Sequence, residues 1–150
     1  HDRAVAGLTS AGDLARDVVA NRVITNSVAT DAITADDFFT NDASETIVNV
    51  EEVIGTVVVT TDGGIVAVHG KTSFGGASGG VRFRIRKDSV TGTILDSTPF
   101  MTITGTKAVA LLGRDSTPSA TQTYVLTAER SVAGSVNVTF RRLFAFNLKK

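Results

Sequence analysis

A chain of 150 residues, with fifteen basic residues against fifteen acidic ones, is long enough for one main domain that buries a core without staples. It has no Cys, which excludes disulfides, a thiol nucleophile and any Cys-ligated metal. No apolar run reaches the ~20 residues of a membrane span, and the first residues show no basic-then-apolar leader pattern. Val, Thr, Ala, Gly and Ser dominate, a mix that favours strands over helices. The charge is unevenly placed: residues 1–45 hold eight acids and three bases, and residues 46–150 hold seven acids and twelve bases. An acidic arm on a basic body favours arm–body or body–partner contact, although chance and a solvated surface give the same count.

From Arg16 the chain reads RDVVA, NRVIT, NSVAT, DAITA, DDFFT. The third place of each unit is apolar: Val18, Val23, Val28, Ile33 and Phe38. The fifth is small: Ala20, Thr25, Thr30, Ala35 and Thr40. Asn or Asp usually opens the unit, and Leu8 stands in the same phase, while Asp13 breaks it. On a helix a step of five rotates by about 140°, so no lasting stripe forms. On a strand it changes face each time. A repeated turn-and-extend unit fits better. One thread cannot bury its own row of Val and Ile, whereas several copies around an axis can. The five apolar positions are therefore the candidate assembly residues. The competing reading is a short helix over roughly residues 11–24 followed by an extended linker.

From residue 46 short strands alternate with turn signals. Candidate strands span 46–50, 54–61, 65–72, 81–87, 92–96, 100–105, 107–112, 122–129 and 135–148. Asp62-Gly63-Gly64 reads as a hairpin turn. Gly75, Gly76, Gly79 and Gly80 read as a mobile loop, and Asp88 to Gly92 and Ser116 to Ser119 as further turns. Val81, Phe83 and Ile85 share one strand face, and Arg82, Arg84 and Arg86 share the other. In the last strand Val136, Val138, Phe140, Phe144, Phe146 and Leu148 share a parity that Arg142 interrupts, which a bulge at Arg141-Arg142 accommodates. The fold expected is all-β: an antiparallel β-sandwich or jelly roll over 46–150, preceded by an extended or partly helical repeat arm over 1–45.

Two stretches resemble known proteins. NRVITNSVATDAITADDFF is similar to the Ile-Thr-Ala pentad stalks of bacteriophage tail fibres and other virion appendages. RDSTPSATQTYVLTAERSVAGSVNVTFRRLFAFNLKK resembles the closing segment of small phage fibre heads, in which a Pro loop leads to a Thr-Tyr-apolar strand, a Gly turn and a final apolar strand ending in Leu-Lys. Pro118, Thr123, Tyr124, Leu126, Gly134, Leu143 and Leu148 occupy the matching positions, while Ala120 stands where many such heads carry Gly. The resemblance implies a trimeric head of the tumour-necrosis-factor type, a virion-surface location, and capsid or tail proteins as partners.

The residues offer little for catalysis. His69 follows Ile65-Val66-Ala67-Val68 and reads as a sheet-face residue; His1 is terminal. Two His without ligand spacing make no zinc site. Asp36, Asp37, Asn41 and Asp42 lack the spacing and glycine of a calcium loop. The glycine run lacks the phosphate-loop pattern, and no order of Asp and Glu selects a catalytic pair. The Arg82/Arg84/Arg86 ladder is the most pointed surface feature. It can meet an anionic glycan, an acidic capsid patch or a neighbour's acidic arm. It can equally be a solvated face with cross-strand Glu or Asp partners. Asn137-Val138-Thr139 matches a glycosylation acceptor but lies inside a predicted strand. Single-strand nucleic-acid binders interleave aromatics with basic residues, and this chain does not.

These readings lead to a non-enzymatic virion structural protein, a head fibre, capsid decoration or tail fibre component, with no cofactor. Its expected partners are its own copies in a homotrimer, the particle's capsid or tail proteins and a host surface glycan. The competing function is a carbohydrate-binding module of a secreted bacterial protein, which the lack of Trp and the single Tyr weaken. A fragment of a larger enzyme is a third.

Overall fold

The computed structural model describes residues 33–76, 78–131 and 135–148, and no helix occurs among them. Val18, Val23, Val28 and the expected helix over 11–24 lie outside the described residues. Ten strands follow in chain order: β1 (Ile33–Asn41), β2 (Glu45–Thr46), β3 (Glu52–Thr60), β4 (Ile65–Gly76), β5 (Gly80–Lys87), β6 (Ile94–Ser97), β7 (Met101–Thr102), β8 (Lys107–Asp115), β9 (Thr121–Arg130) and β10 (Val136–Leu148).

They form a β-sandwich of two antiparallel sheets. The first runs β1-β10-β4-β8, with β2 also on β10; the second runs β3-β9-β5-β6, with β7 also on β5. Leaving aside the two-residue strands β2 and β7, the path changes sheet at every step except β5 to β6. That wrapping is a jelly roll. Alternation explains the core. Val81, Phe83 and Ile85 of β5 and Tyr124, Leu126 and Ala128 of β9 point inward from the second sheet, all fully buried. Val66, Val68 and Phe74 of β4 and Leu143 and Ala145 of β10 meet them from the first. The Phe74 and Phe83 rings meet across the layer at 5.2 Å.

Four features depart from the sequence reading. The first sheet takes in residues 33–41 and Glu45, which the repeat reading gave to the arm: β1 pairs with β10 from Ile33↔Leu148 to Asn41↔Arg141. Asp62-Gly63-Gly64 is a turn, with Gly63 at φ 82°, but it closes no hairpin, because β3 and β4 belong to opposite sheets. Local turn chemistry marks where the chain reverses; strand partners are chosen by distant residues, here β9 for β3 and β10 for β4. Gly75 and Gly76 likewise end β4 and pair with Asn137 and Val136, rather than forming a loop. A Cβ on Gly76 would lie 1.9 Å from the Ser135 carbonyl oxygen.

The fourth departure is the bulge in β10. It falls between Val138 and Phe140, not at Arg141-Arg142. Thr139 is the extra residue, and one inserted residue reverses every later side chain. Val136 and Val138 face the core, but after the bulge Arg141, Leu143, Ala145 and Asn147 do. Phe140, Arg142, Phe144, Phe146 and Leu148 turn outward.

Both open sides of the sandwich are closed by a carboxylate from the opposite sheet. Asp37 Oδ2 on β1 accepts the Val58 N–H of edge strand β3 at 2.8 Å. Asp96 Oδ2 on β6 accepts the Leu112 N–H of edge strand β8 at 2.8 Å. An edge N–H already bonded cannot template another strand. Asp37→Ala and Asp96→Ala should each lower stability by about 1 kcal/mol in urea unfolding, with additive effects because they lie on opposite sides. A chain starting at residue 46 lacks β1 and should lose cooperative unfolding, whereas one starting at residue 31 should keep it; circular dichroism melts distinguish the two.

Candidate functional site: the two outer sheet faces

The outer face of the first sheet carries an unbroken row across all four strands. Phe38 of β1 stands opposite Phe144 of β10, Phe144 opposite His69 of β4, and His69 opposite Leu112 of β8. Ring centroids are 6.4 Å apart for Phe38–Phe144, 6.4 Å for His69–Phe144 and 6.3 Å for Phe144–Phe146, within the range of aromatic pairing. The row ends on exposed side chains, Phe38 at 65% and Leu112 at 69% of full accessibility. Phe146 lies opposite Ala67, and Leu148 opposite Ile65, extending the apolar ground toward the Ile33 end of β1. Basic side chains rim it. Arg142 lies 4.1 Å over the Phe140 ring and pairs with Asp42 at 2.7 Å. Lys71 stands beside the same ring, and Arg114 lies opposite Ala67. The bulge at Thr139 creates this face, since without it the Phe residues of β10 would point into the core.

Of the five candidate assembly residues, Ile33 and Phe38 thus fall on β1 at the border of the face. Sequence reasoning missed Phe144, Phe146 and Leu112 as surface residues because an apolar residue in an alternating strand reads as core. The signal available was Arg142, whose charge marks the outward parity of β10. His69 lies on a sheet face, as its strand context predicted.

The outer face of the second sheet holds the Arg ladder of β5 and the two carboxylates that meet it. Arg82 Nη2 donates to Glu129 Oε2 at 2.6 Å. Arg84 Nη1 donates to Glu51 Oε2 at 2.5 Å and to Glu129 Oε2 at 3.0 Å. Arg86 grips Glu51 with Nε at 2.7 Å and Nη2 at 2.8 Å, and its Nη1 donates to the Gly92 carbonyl at 2.8 Å. Thr127 Oγ1 donates to Glu51 Oε1 at 2.5 Å. Arg84 is only 7% exposed. Two acids interleave three guanidiniums, and the network ties the connection before β3 over β5 and β9. Arg82 is the most open of the three and also lies 4.3 Å over the Phe100 ring. An anion arriving here would compete with Glu51 and Glu129 for every guanidinium.

Burial opposes the charge on Glu51, but hydrogen bonds from Arg86, Thr127 and Arg84 outweigh it and hold the carboxyl at about 2, down from 4.5. Among the described residues no group of His, Asp and Glu is arranged to hold a metal ion.

No family model matches the chain, and no curated protein matches it either. Solved structures with a similar course include a Bacillus endospore appendage protein of disulfide-linked pili, at 13% identity over 76% of this chain and 88% of that one, with a TM-score of 0.48. A β-1,3-glucan-binding family 6 carbohydrate-binding module from Bacillus halodurans shares 18% identity over 77% of this chain and 90% of that one, with a TM-score of 0.42. An infectious bursal disease virus chain of the Gx strain shares 12% identity over 75% of this chain and 33% of its own length, with a TM-score of 0.42.

The depressed Glu51 carboxyl sets an acid limb. A lowered folded-state pKa contributes stability that is fully present above the unfolded value of 4.5 and is lost as pH falls through about 2. Glu51→Gln should cost about 2 kcal/mol at neutral pH, and the gap to the parent should close between pH 4.5 and 2. Urea unfolding across that range checks it.

Proposed function

We propose that this chain is a non-enzymatic structural protein of a virion surface, and that it assembles with copies of itself as a homotrimer through the outer face of the first sheet. The observation that carries the reading is the Phe38–Phe144–His69–Leu112 row, an apolar band that spans the sheet and ends on two widely exposed side chains. Soluble monomers rarely leave so continuous an apolar surface uncovered.

The occupant is a second copy because of where the repeat enters. Its apolar row, Val18, Val23, Val28, Ile33 and Phe38, reaches the body on β1, the strand that borders the face. Copies of the chain set around a common axis cover such a face together. The charges agree: a basic rim of Lys71, Arg114 and Arg142 surrounds the face, and residues 1–45 are acidic. In this reading the arm entwines or docks on capsid or tail proteins, and the head loops project outward.

Sedimentation equilibrium should give a mass of three chains that holds on dilution. Phe38→Glu with Leu112→Glu should yield a folded monomer with an unchanged far-ultraviolet circular dichroism spectrum, because both side chains are exposed in the single chain. A parent chain that is monomeric at all concentrations, or a double variant that stays trimeric, removes the reading. Particles carrying a chain shortened to residue 31 should lose most of the attached protein if the arm docks it; undiminished attachment rejects that role.

A further inference from the structure

His69 is the one ionisable member of the Phe38–Phe144–His69–Leu112 row. Its ring is half-buried and stacks on Phe144, with centroids 6.4 Å apart and planes 20° from parallel. Among the described residues no group hydrogen-bonds or ion-pairs with the imidazole. The charged residues that flank it on this face are cations. On its own strand the nearest is Lys71, two residues on. On β10 it is Arg142, on the same face as Phe144 and two residues before it. On β8 it is Arg114, two residues after Leu112. β1 lies one strand further away, and its Asp36 is in register with Phe146. Asp42 is held by Arg142 at 2.7 Å. The hydrogen bond from Arg142 keeps the Asp42 carboxyl below the usual carboxylate range, so in mild acid it stays charged and committed to that guanidinium.

We propose that His69 makes the assembly pH-dependent: the homotrimer forms with the imidazole neutral and comes apart in mild acid as the ring gains a proton. This rests on the reading that the outer face of the first sheet lies between copies of the chain. An imidazole changes its charge between pH 5 and 8. When a neighbouring copy covers the row, His69 loses its water, and that loss costs the charged ring more than the neutral one. Lys71, Arg114 and Arg142 repel a fourth positive charge, and the repulsion grows as water is excluded. The Phe144 stack is already present in the single chain, so it fixes the ring in the row without favouring either state of assembly. The proton is therefore held more weakly in the trimer than in the free chain, and proton uptake favours free chains. Each trimer carries one such ring per chain, so its dissociation constant should rise by up to about a thousandfold per pH unit once the free chains are protonated.

The test is sedimentation equilibrium of the full chain at about pH 8 and about pH 5, with a far-ultraviolet circular dichroism spectrum at each. The expected result is a trimer at the higher pH and a folded monomer at the lower. His69→Phe and His69→Leu remove the proton site and leave an apolar side chain in the row, so both should be trimers at both pH values. His1→Gln removes the other imidazole of the chain and should respond as the parent does. A parent that is trimeric at both pH values overturns the pH response and leaves the assembly reading standing. A parent that is monomeric at both overturns the assembly reading, and this proposal with it. Three further outcomes overturn the role of His69: loss of the folded spectrum together with the trimer, dissociation of both His69 variants in acid, and monomers of both variants at the higher pH.

Discussion

The pairing of β10 with β4 on one side and β1 on the other is the constraint on which the rest of the structure depends. β10 runs the length of the first sheet, from Val136 opposite Gly76 to Leu148 opposite Ile65. It brings the N-terminal strand and the C-terminal strand of the described chain side by side. Those contacts join residues about a hundred positions apart, so the sandwich closes only when both ends are present. The inserted Thr139 within this strand decides which of its side chains enter the core and which meet solvent.

One inserted residue has two outward consequences. The Phe residues of β10 leave the core and join Phe38, His69 and Leu112 in a surface row. Arg141 enters the interior, and its guanidinium takes Glu45 and the Ala43 carbonyl as partners at the sandwich edge. The aromatic face and the inward Arg141–Glu45 pair therefore share a cause, although they lie on different sides of the same strand.

The second sheet shows a different logic. Its outer face is closed by its own ions, with Glu51 and Glu129 set between Arg82, Arg84 and Arg86. Glu51 arrives from the connection before β3, so this network also pins a segment that the strand pattern leaves unattached. At the Lys87 end of β5, burial opposes the charge of Asp115, but the Thr117 N–H, Lys87 and Tyr124 outweigh it and keep its carboxyl low. Burial and the bond to Asp115 together raise the Tyr124 phenol. These are buried polar groups satisfied by the protein itself, and they serve to fix loops.

The sequence by itself determined the all-β character, the positions of most strands and the inward face of β5, because β-branched residues in period-two alternation between turn residues carry those features locally. It also marked Asp62-Gly63-Gly64 and Asp88 to Gly92 as turns. Only the tertiary structure decided which strands pair, since the same turn can close a hairpin or cross between sheets. It alone placed the bulge at Thr139: Arg142 signals that the parity of β10 breaks, but where it breaks is set by the register with the partner strand. It also chose Glu51 and Glu129 as partners of the Arg ladder, from 33 to 47 positions away. Alternation reports that a side chain lies on one of two faces; which of those faces is covered is a property of the packed layers.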